Sequence, residues 1–253
     1  VTIDDTASID ASALNTLNGY TTGNIVATTA TSFTGTISDL NTLYAAAASS
    51  GDGISGLGSE AVTVTDSSVS ASDLNTLNTN TDYNITVNAT AISGSLSDVS
   101  TLYGNKAADS NADTNGFTGL GNEAITLTDT GSIAANTLLT VAQANSSGTV
   151  DASNAGTITG TAEQIINAYA DSTITEASNV ALTVNTANSG TATLTQARSL
   201  DALTTGVVTA TIANTALSDL LDDSTPLLDA NGNNAFTITI GSGDASASAA
   251  DLN

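Results

Sequence analysis

The chain has 253 residues, and its 25 acidic residues against two basic ones, Lys106 and Arg198, give a formal charge of −23. It contains no His, Cys, Met or Trp, which excludes a Ser-His-Asp triad, a thiol nucleophile and a His/Cys zinc site. Two cations cannot neutralise a phosphate backbone and no apolar run is long enough to span a bilayer, so we expect no nucleic-acid partner and no membrane insertion.

An imperfect internal repeat begins at the first residue. The segment Ala-Ser-Ala-Leu-Asn-Thr-Leu at 11–17 returns as Ala-Ser-Asp-Leu-Asn-Thr-Leu at 71–77, and residues 248–253 begin a further copy. Self-similarity of this kind is the signature of solenoids, in which stacking of units builds the core. We therefore expect residues 1–253 to be one continuous solenoid of about nine coils, a fragment of a longer array that self-associates end to end or side by side.

Nine short segments alternate apolar and polar residues with period two, which predicts half-buried strands. Their outward positions are mostly Thr, whose branched side chain suits an exposed strand face. The predicted inward pairs, in chain order, are Val1/Ile3, Ile25/Ala27, Val62/Val64, Ile85/Val87, Ile125/Leu127, Val150/Ala152, Leu182/Val184, Val208/Ala210 and Phe236/Ile238.

A short helix is predicted after most of these strands. The pattern of a hydroxyl residue followed three positions later by Asp or Gln resembles a capping box, and apolar residues three or four apart follow it. The boxes are Thr36-x-x-Asp39, Ser70-x-x-Asp73, Ser95-x-x-Asp98, Thr161-x-x-Gln164 and Ser248-x-x-Asp251. The fold class is therefore α/β, a right-handed parallel solenoid of strand-plus-helix coils resembling leucine-rich repeats; the alternative is an all-β solenoid.

Every second coil carries extra length after its helix, at 45–60, 104–123, 170–179 and 222–234. Two of these long segments close with the same phrase, Gly-Leu-Gly-x-Glu-Ala, at 56–61 and 119–124. Insertions at one place in each repeat map to one edge of a solenoid, often the edge that carries ligands.

Two long segments have the oxygen-rich spacing of a calcium loop. Carboxylate and amide oxygens at alternate positions suit calcium, which takes six to eight oxygen ligands. The candidate metal ligands are Asp109, Asn111, Asp113 and Asn115 in one segment and Asp229, Asn231 and Asn233 in another. The alternative is solvated Asx turns, which the same residues favour.

The outward Thr residues could form an ice-binding face, which requires a regular Thr-x-Thr array. Val26, Asn88, Asp151 and Asn185 interrupt that array. A polar face turned to solvent, or one that packs on a neighbouring array, is the favoured interpretation.

Several phrases of the chain resemble those of a known group of proteins. They are Tyr-Thr-Thr-Gly at 20–23, Thr-Gly-Thr-Ile-Ser-Asp-Leu at 34–40, Ala-Ser-Asp-Leu-Asn-Thr-Leu at 71–77 and Gly-Leu-Gly-Asn-Glu-Ala-Ile-Thr-Leu-Thr-Asp at 119–129. They resemble repeats in the giant acidic cell-surface proteins of marine picocyanobacteria, the swimming-motility-associated type included, and in virion proteins of their phages. The resemblance weakens from about residue 136 and implies an extracellular structural role without catalytic residues.

We therefore expect a non-enzymatic extracellular protein that forms part of a fibre, surface layer or appendage at the cell surface. The alternative is an adhesion module or phage fibre whose long segments bind glycans or calcium. Paired carboxylates such as Asp222/Asp223 suit glycoside hydrolysis, but no apolar pocket is evident around them, so an enzyme is disfavoured.

Overall fold

The structure is a computed structural model that describes residues 1–47, 52–106, 116–185, 190–216, 220 and 234–240. In these residues the chain is a mixed α/β protein with parallel sheets and no closed barrel, which confirms the α/β class. The predicted combination of strands and short helices is therefore confirmed, whereas the all-β alternative does not fit the helices.

Seven short helices lie in the described residues: α1 Ala11–Tyr20, α2 Ile37–Ala45, α3 Ala71–Asn78, α4 Leu96–Gly104, α5 Ala135–Ala144, α6 Ala162–Ala170 and α7 Leu194–Leu203. The strands there are β1 Ser8–Asp10, β2 Ile25–Val26, β3 Ser32–Gly35, β4 Ile54–Ser55, β5 Ala61–Val64, β6 Ser68–Ser70, β7 Asn84–Val87, β8 Ala91–Gly94, β9 Gly116–Thr118, β10 Ala124–Leu127, β11 Ser132–Ala134, β12 Thr149–Asp151, β13 Thr157–Gly160, β14 Ile174–Thr175, β15 Ala181–Val184, β16 Thr191–Ala192, β17 Val208–Thr215 and β18 Ala235–Ile240.

Most helices are preceded by a second strand that the sequence patterns did not predict. It lies between the predicted strand and the helix, as β6 does between β5 and α3. Its inward apolar residue, such as Val69 or Ile92, is buried in most cases. Strands of two to four residues with one inward apolar position are too short to show a period, so the pattern alone could not identify them.

The chain divides into two compact units. The first comprises residues 1–126 and 143–150. Its sheets have the strand orders β2-β4, β1-β3-β5-β7-β9 and β6-β8-β10-β12. The last residues of β10 and β12 belong to the second unit. The last of these sheets therefore holds two second strands, β6 and β8, and beside them two of the predicted strands, β10 and β12. β4 and β9 lie in the long segments, so these segments add strands to sheets and are not merely loops.

Register aligns the core of the first unit. One inward row runs across five strands, and its four members on β3, β5, β7 and β9 are at most 1% exposed. The row is Ile9, Phe33, Val62, Ile85 and Phe117. Helices α1 to α4 pack on one another in succession beside these strands.

The second unit comprises residues 127–142 and 151–253. Its sheet runs β11-β13-β15-β17, with β16 and β18 both paired to β17. Ile133, Ile158, Leu182 and Val208 form its buried inward row. Helix α6 packs on α7.

Burial confirms seven of the nine predicted inward pairs, from Ile25/Ala27 to Val208/Ala210. The first and last pairs were wrong as fully inward pairs. Val1 is 59% exposed and Ile238 38% exposed, and Ile3 and Phe236 are only half-buried. An outermost strand has a neighbour on one side only, so its inward side chains are covered less than those of an inner strand.

The hydroxyl of the predicted box caps its helix in three of the four described cases, and the return bond of a complete box is made only by Gln164 among them. The hydroxyls of Thr36, Ser95 and Thr161 accept from the backbone N–H three residues later, whereas Ser70 makes no such bond. The fifth box, at Ser248, lies outside the described residues. The sequence analysis missed a further complete box, Thr193 with Gln196.

Candidate functional site

The most distinctive polar groups in the described residues are three Tyr–Glu sites. In each, a Tyr near the end of an even-numbered helix lies near a Glu of the long segment that follows that helix. The pairs are Tyr44/Glu60, Tyr103/Glu123 and Tyr169/Glu176.

The Gly-Leu-Gly-x-Glu-Ala phrase builds the first site. Gly56 and Gly58 adopt positive φ angles of 87° and 122°, a region that favours glycine, and turn the backbone N–H groups of Gly58 and Ser59 toward Glu60. These groups donate to Glu60 Oε2 at 2.7 and 3.1 Å, and the Tyr44 hydroxyl donates to the same oxygen at 3.4 Å. Burial, followed by the charge of Glu60, raises the pKa of Tyr44, which stays protonated as a donor.

The second site repeats this geometry around Glu123, whose side chain has no exposed surface. Its carboxylate accepts from the N–H groups of Gly121 and Asn122 and from the Tyr103 hydroxyl. Burial, followed by the hydrogen bond to Glu123, raises the pKa of Tyr103. These three hydrogen bonds offset the free-energy cost of removing the carboxylate from water.

Asn145 is the third member of the second site and is also fully buried. Its Oδ1 lies 3.1 Å from Tyr103 Oη and accepts from the Glu123 N–H at 3.2 Å, while its Nδ2 donates to the Glu123 carbonyl at 2.8 Å. Lys106, the only lysine of the chain, donates from Nζ to the carbonyl of Ala144 at 3.1 Å.

The third site lacks the glycine phrase. Within the described residues, Tyr169 Oη and Glu176 Oε1 are buried atoms that form no hydrogen bond. Burial is the largest cause that raises the pKa of Glu176 to about 7, and the charge of Asp171 adds to it. Without the two backbone N–H donors of the other sites, this carboxylate is held in its neutral form more readily.

Asparagines link successive helices of the first unit. The side-chain Nδ2 groups of Asn15, Asn41 and Asn75 donate to the backbone carbonyls of Asp39, Asp73 and Asp98, at 2.9, 3.2 and 2.9 Å. Each bond therefore joins one helix to the next one along the chain. We call these three bonds the Asn ladder.

Threonines form ladders on the outer sheet faces. In the first unit Thr34, Thr63, Thr86 and Thr118 align across four strands, and in the second unit Thr159, Thr183 and Thr209 align across three. None of these side chains is fully buried, which confirms the predicted outward face. A shallow open cleft of the second unit, about 370 Å³ in volume, is lined by Thr183, Asn185, Thr209, Thr211 and Thr237 together with Val184, Ala210 and Ala235.

All predicted calcium ligands, Asp109, Asn111, Asp113, Asn115, Asp229, Asn231 and Asn233, lie outside the described residues, as does the pair Asp222/Asp223. Within the described residues no cluster of three acidic side chains could hold a metal ion. In that part of the chain, no helix has the length and apolar character to cross a bilayer.

The role of the Glu in the Gly-Leu-Gly-x-Glu-Ala phrase was not predicted from the sequence. The sequence does carry a pattern that could have indicated it, because in two long segments a Glu directly precedes an apolar strand and each segment follows a helix with a Tyr near its end. A carboxylate beside an apolar run, repeated with the same tyrosine, indicates a buried and partnered group.

No family model matches the chain, and no curated protein or solved structure is significantly similar to it.

Proposed function

We propose that the chain is a non-enzymatic structural protein, a section of a right-handed parallel solenoid that forms part of an extracellular fibre, surface layer or appendage. The observation that carries this proposal is the use of its polar side chains. The Asn ladder and the bonds between Asn145 and Glu123 in the second Tyr–Glu site direct their hydrogen bonds to neighbouring coils of the same chain.

Coil-to-coil bonding of this kind supports a mechanical role. In a repeat protein each unit contacts only its neighbours, so stiffness depends on the bonds between adjacent units. The register of Phe33, Val62 and Ile85 and the Asn ladder act on the same neighbouring coils, one through the sheet and one through the helices.

The high negative charge suits a surface location. At low ionic strength it keeps neighbouring molecules apart, and salt or divalent cations that screen it allow side-by-side association. The composition, poor in charged residues of both signs and rich in Thr, Ala and Asn, supports the resemblance to picocyanobacterial surface and phage virion repeats.

Small-angle X-ray scattering tests the proposed solenoid. A compact globule of 253 residues has a radius of gyration of about 18 Å, and a rod of stacked coils exceeds this clearly. A value at the globular limit contradicts the solenoid. Antibody labelling of intact cells or virions tests the location, and label confined to the cell interior contradicts it.

A second candidate function is glycan binding, which the threonine-lined cleft of the second unit favours. Hydroxyl and amide groups on a half-apolar floor suit sugar hydroxyls. Labelled polysaccharides should bind the chain, and the double variant Thr209→Val and Thr211→Val, which removes two hydroxyls at nearly constant shape, should lose that binding. Thr65→Val, at an exposed position outside the cleft, is the control. Equal binding by all three proteins contradicts the assignment to this cleft.

A further inference from the structure

The three Tyr–Glu sites are internal copies of one arrangement, and the second copy differs from the others at two positions. Three residues after the Tyr, the first copy has Ala47, the second Lys106 and the third Ser172. After the next helix, the first and third copies have a buried Thr, Thr81 and Thr204, where the second has Asn145. An amine and a carboxamide thus appear together, in the same copy, beside a buried carboxylate.

We propose that Lys106 and Asn145 form an intramolecular isopeptide bond in the second Tyr–Glu site. The Nζ atom attacks Cγ of Asn145, the Nζ–Cγ bond forms, the Cγ–Nδ2 bond breaks and ammonia leaves. One of the two protons of the neutral amine moves to the leaving nitrogen, so the step balances without an oxidant, a reductant or a cofactor.

The Asn145 carboxamide is held as an electrophile. Its Oδ1, where negative charge develops during the attack, accepts a hydrogen bond from the Glu123 N–H at 3.2 Å, and Tyr103 Oη, which donates its one proton to Glu123, lies 3.1 Å away. A fixed N–H donor and a hydroxyl that can turn to the developing oxyanion, beside two side chains without exposed surface, suit the stabilisation of a tetrahedral intermediate. The leaving Nδ2 is oriented by the Glu123 carbonyl at 2.8 Å.

The nucleophile is held by the backbone of the residue that precedes Asn145. Lys106 Nζ lies 3.1 Å from the carbonyl oxygen of Ala144, the residue directly before Asn145. A side chain placed on Gly121 would have its Cβ 2.8 Å from Nζ, so glycine at this position leaves room for the amine. To react, Nζ has to leave the Ala144 carbonyl and move to the neighbouring residue. The Tyr103 hydroxyl lies between the Asn145 oxygen and the Glu123 carboxylate, to which it donates.

Tests of the bond use the intact chain. Its mass should be lower than the sequence mass by one ammonia. Because Lys106 and Arg198 are the only trypsin sites, digestion of the unfolded chain should give two products when the Lys106 amine is blocked and three when it is free. A mass equal to the sequence mass together with cleavage after Lys106 overturns the proposal.

Two variants carry the residues of the sister copies and serve as matched controls. Lys106→Ala introduces the residue that the first copy has at this position, and Asn145→Thr introduces the residue of the first and third copies. Both variants should fold, because the sister copies fold with these residues. Each should show its full sequence mass, and Asn145→Thr should be cleaved after Lys106. Loss of ammonia by cyclisation of Asn145 with its own backbone also lowers the mass. If Lys106→Ala still shows the lower mass, that reaction is the cause and the isopeptide proposal is wrong.

Discussion

Glu123 shows how a carboxylate without exposed surface is accommodated in a thin core. Two backbone N–H groups and the Tyr103 hydroxyl donate to it, and glycines with positive φ place the N–H groups there. The neighbouring Asn145 then bonds both the N–H and the carbonyl of Glu123. The second Tyr–Glu site therefore depends on complete satisfaction of its polar groups.

Removing the Tyr103 hydroxyl should destabilise the chain. Tyr103→Phe removes the hydroxyl that donates to the buried Glu123 carboxylate and contacts Asn145, and we expect a loss of about 1–3 kcal/mol in the free energy of unfolding. Urea unfolding followed by circular dichroism measures it. Tyr20→Phe is the control, because Tyr20 is 84% exposed and its variant should unfold like the parent. Equal midpoints for both variants would show that the hydroxyl is not needed.

Glu176 should make stability fall as the pH rises from about 4.5 to about 7. Its folded-state pKa is raised from 4.5 to about 7, chiefly by burial, so between these values the folded chain holds a proton that the unfolded chain releases. The contribution is fully present below the unfolded pKa and is lost as the pH passes the folded pKa. Glu176→Gln should flatten this part of the curve of melting temperature against pH, and parallel curves for parent and variant would contradict the assignment.

Capping residues and glycines fix where the short helices and the long segments of this chain begin and turn. Helices of eight to ten residues are marginal alone, and four of the seven begin at a Ser or Thr whose hydroxyl accepts from the third backbone N–H of the helix. The long segments are fixed by glycines. Gly119 has a φ of 87°, and a Cβ there would lie 2.3 Å from the Val87 carbonyl oxygen.

Gly119→Ala should therefore destabilise strongly. The new Cβ meets backbone and the φ angle is unfavourable for alanine, so we expect a loss of at least about 1–3 kcal/mol. Gly104→Ala is the matched control. A Cβ at Gly104, the last residue of α4, meets no atom within 4 Å, and alanine suits a helix better than glycine. Thermal melting should separate the two variants, and similar melting temperatures would contradict the close approach at Gly119.

The charge of the whole molecule governs its response to salt. With 25 carboxylates against two cations, screening by any salt should raise stability because it weakens repulsion within the chain. This general effect has to be separated from specific binding by the long segments, which stays a prediction from their sequence.

Calcium should raise the melting temperature beyond the effects of magnesium and of sodium chloride at matched ionic strength. A ligand that binds only the folded state adds about 2.7 kcal/mol at a hundredfold excess over Kd. The double variant Asp109→Ala and Asp113→Ala should shrink the calcium-specific part and leave the sodium chloride effect almost unchanged. If all three salts act alike on parent and variant, the long segments do not bind calcium.

Local patterns in the sequence sufficed to predict the α/β class, the inward faces from Ile25 to Ala210 and three helix caps. Period-two alternation and caps depend on residues within four positions of one another, so no knowledge of the fold is needed. The second strands, the strands β4 and β9 of the long segments and the exposed outermost pairs were decided only by tertiary structure. Strand pairing is a long-range choice that two to four residues cannot encode alone. The second Tyr–Glu site was decided in the same way, because Tyr103 meets Glu123 and Asn145 from 20 and 42 residues away, and only the tertiary structure brings them together.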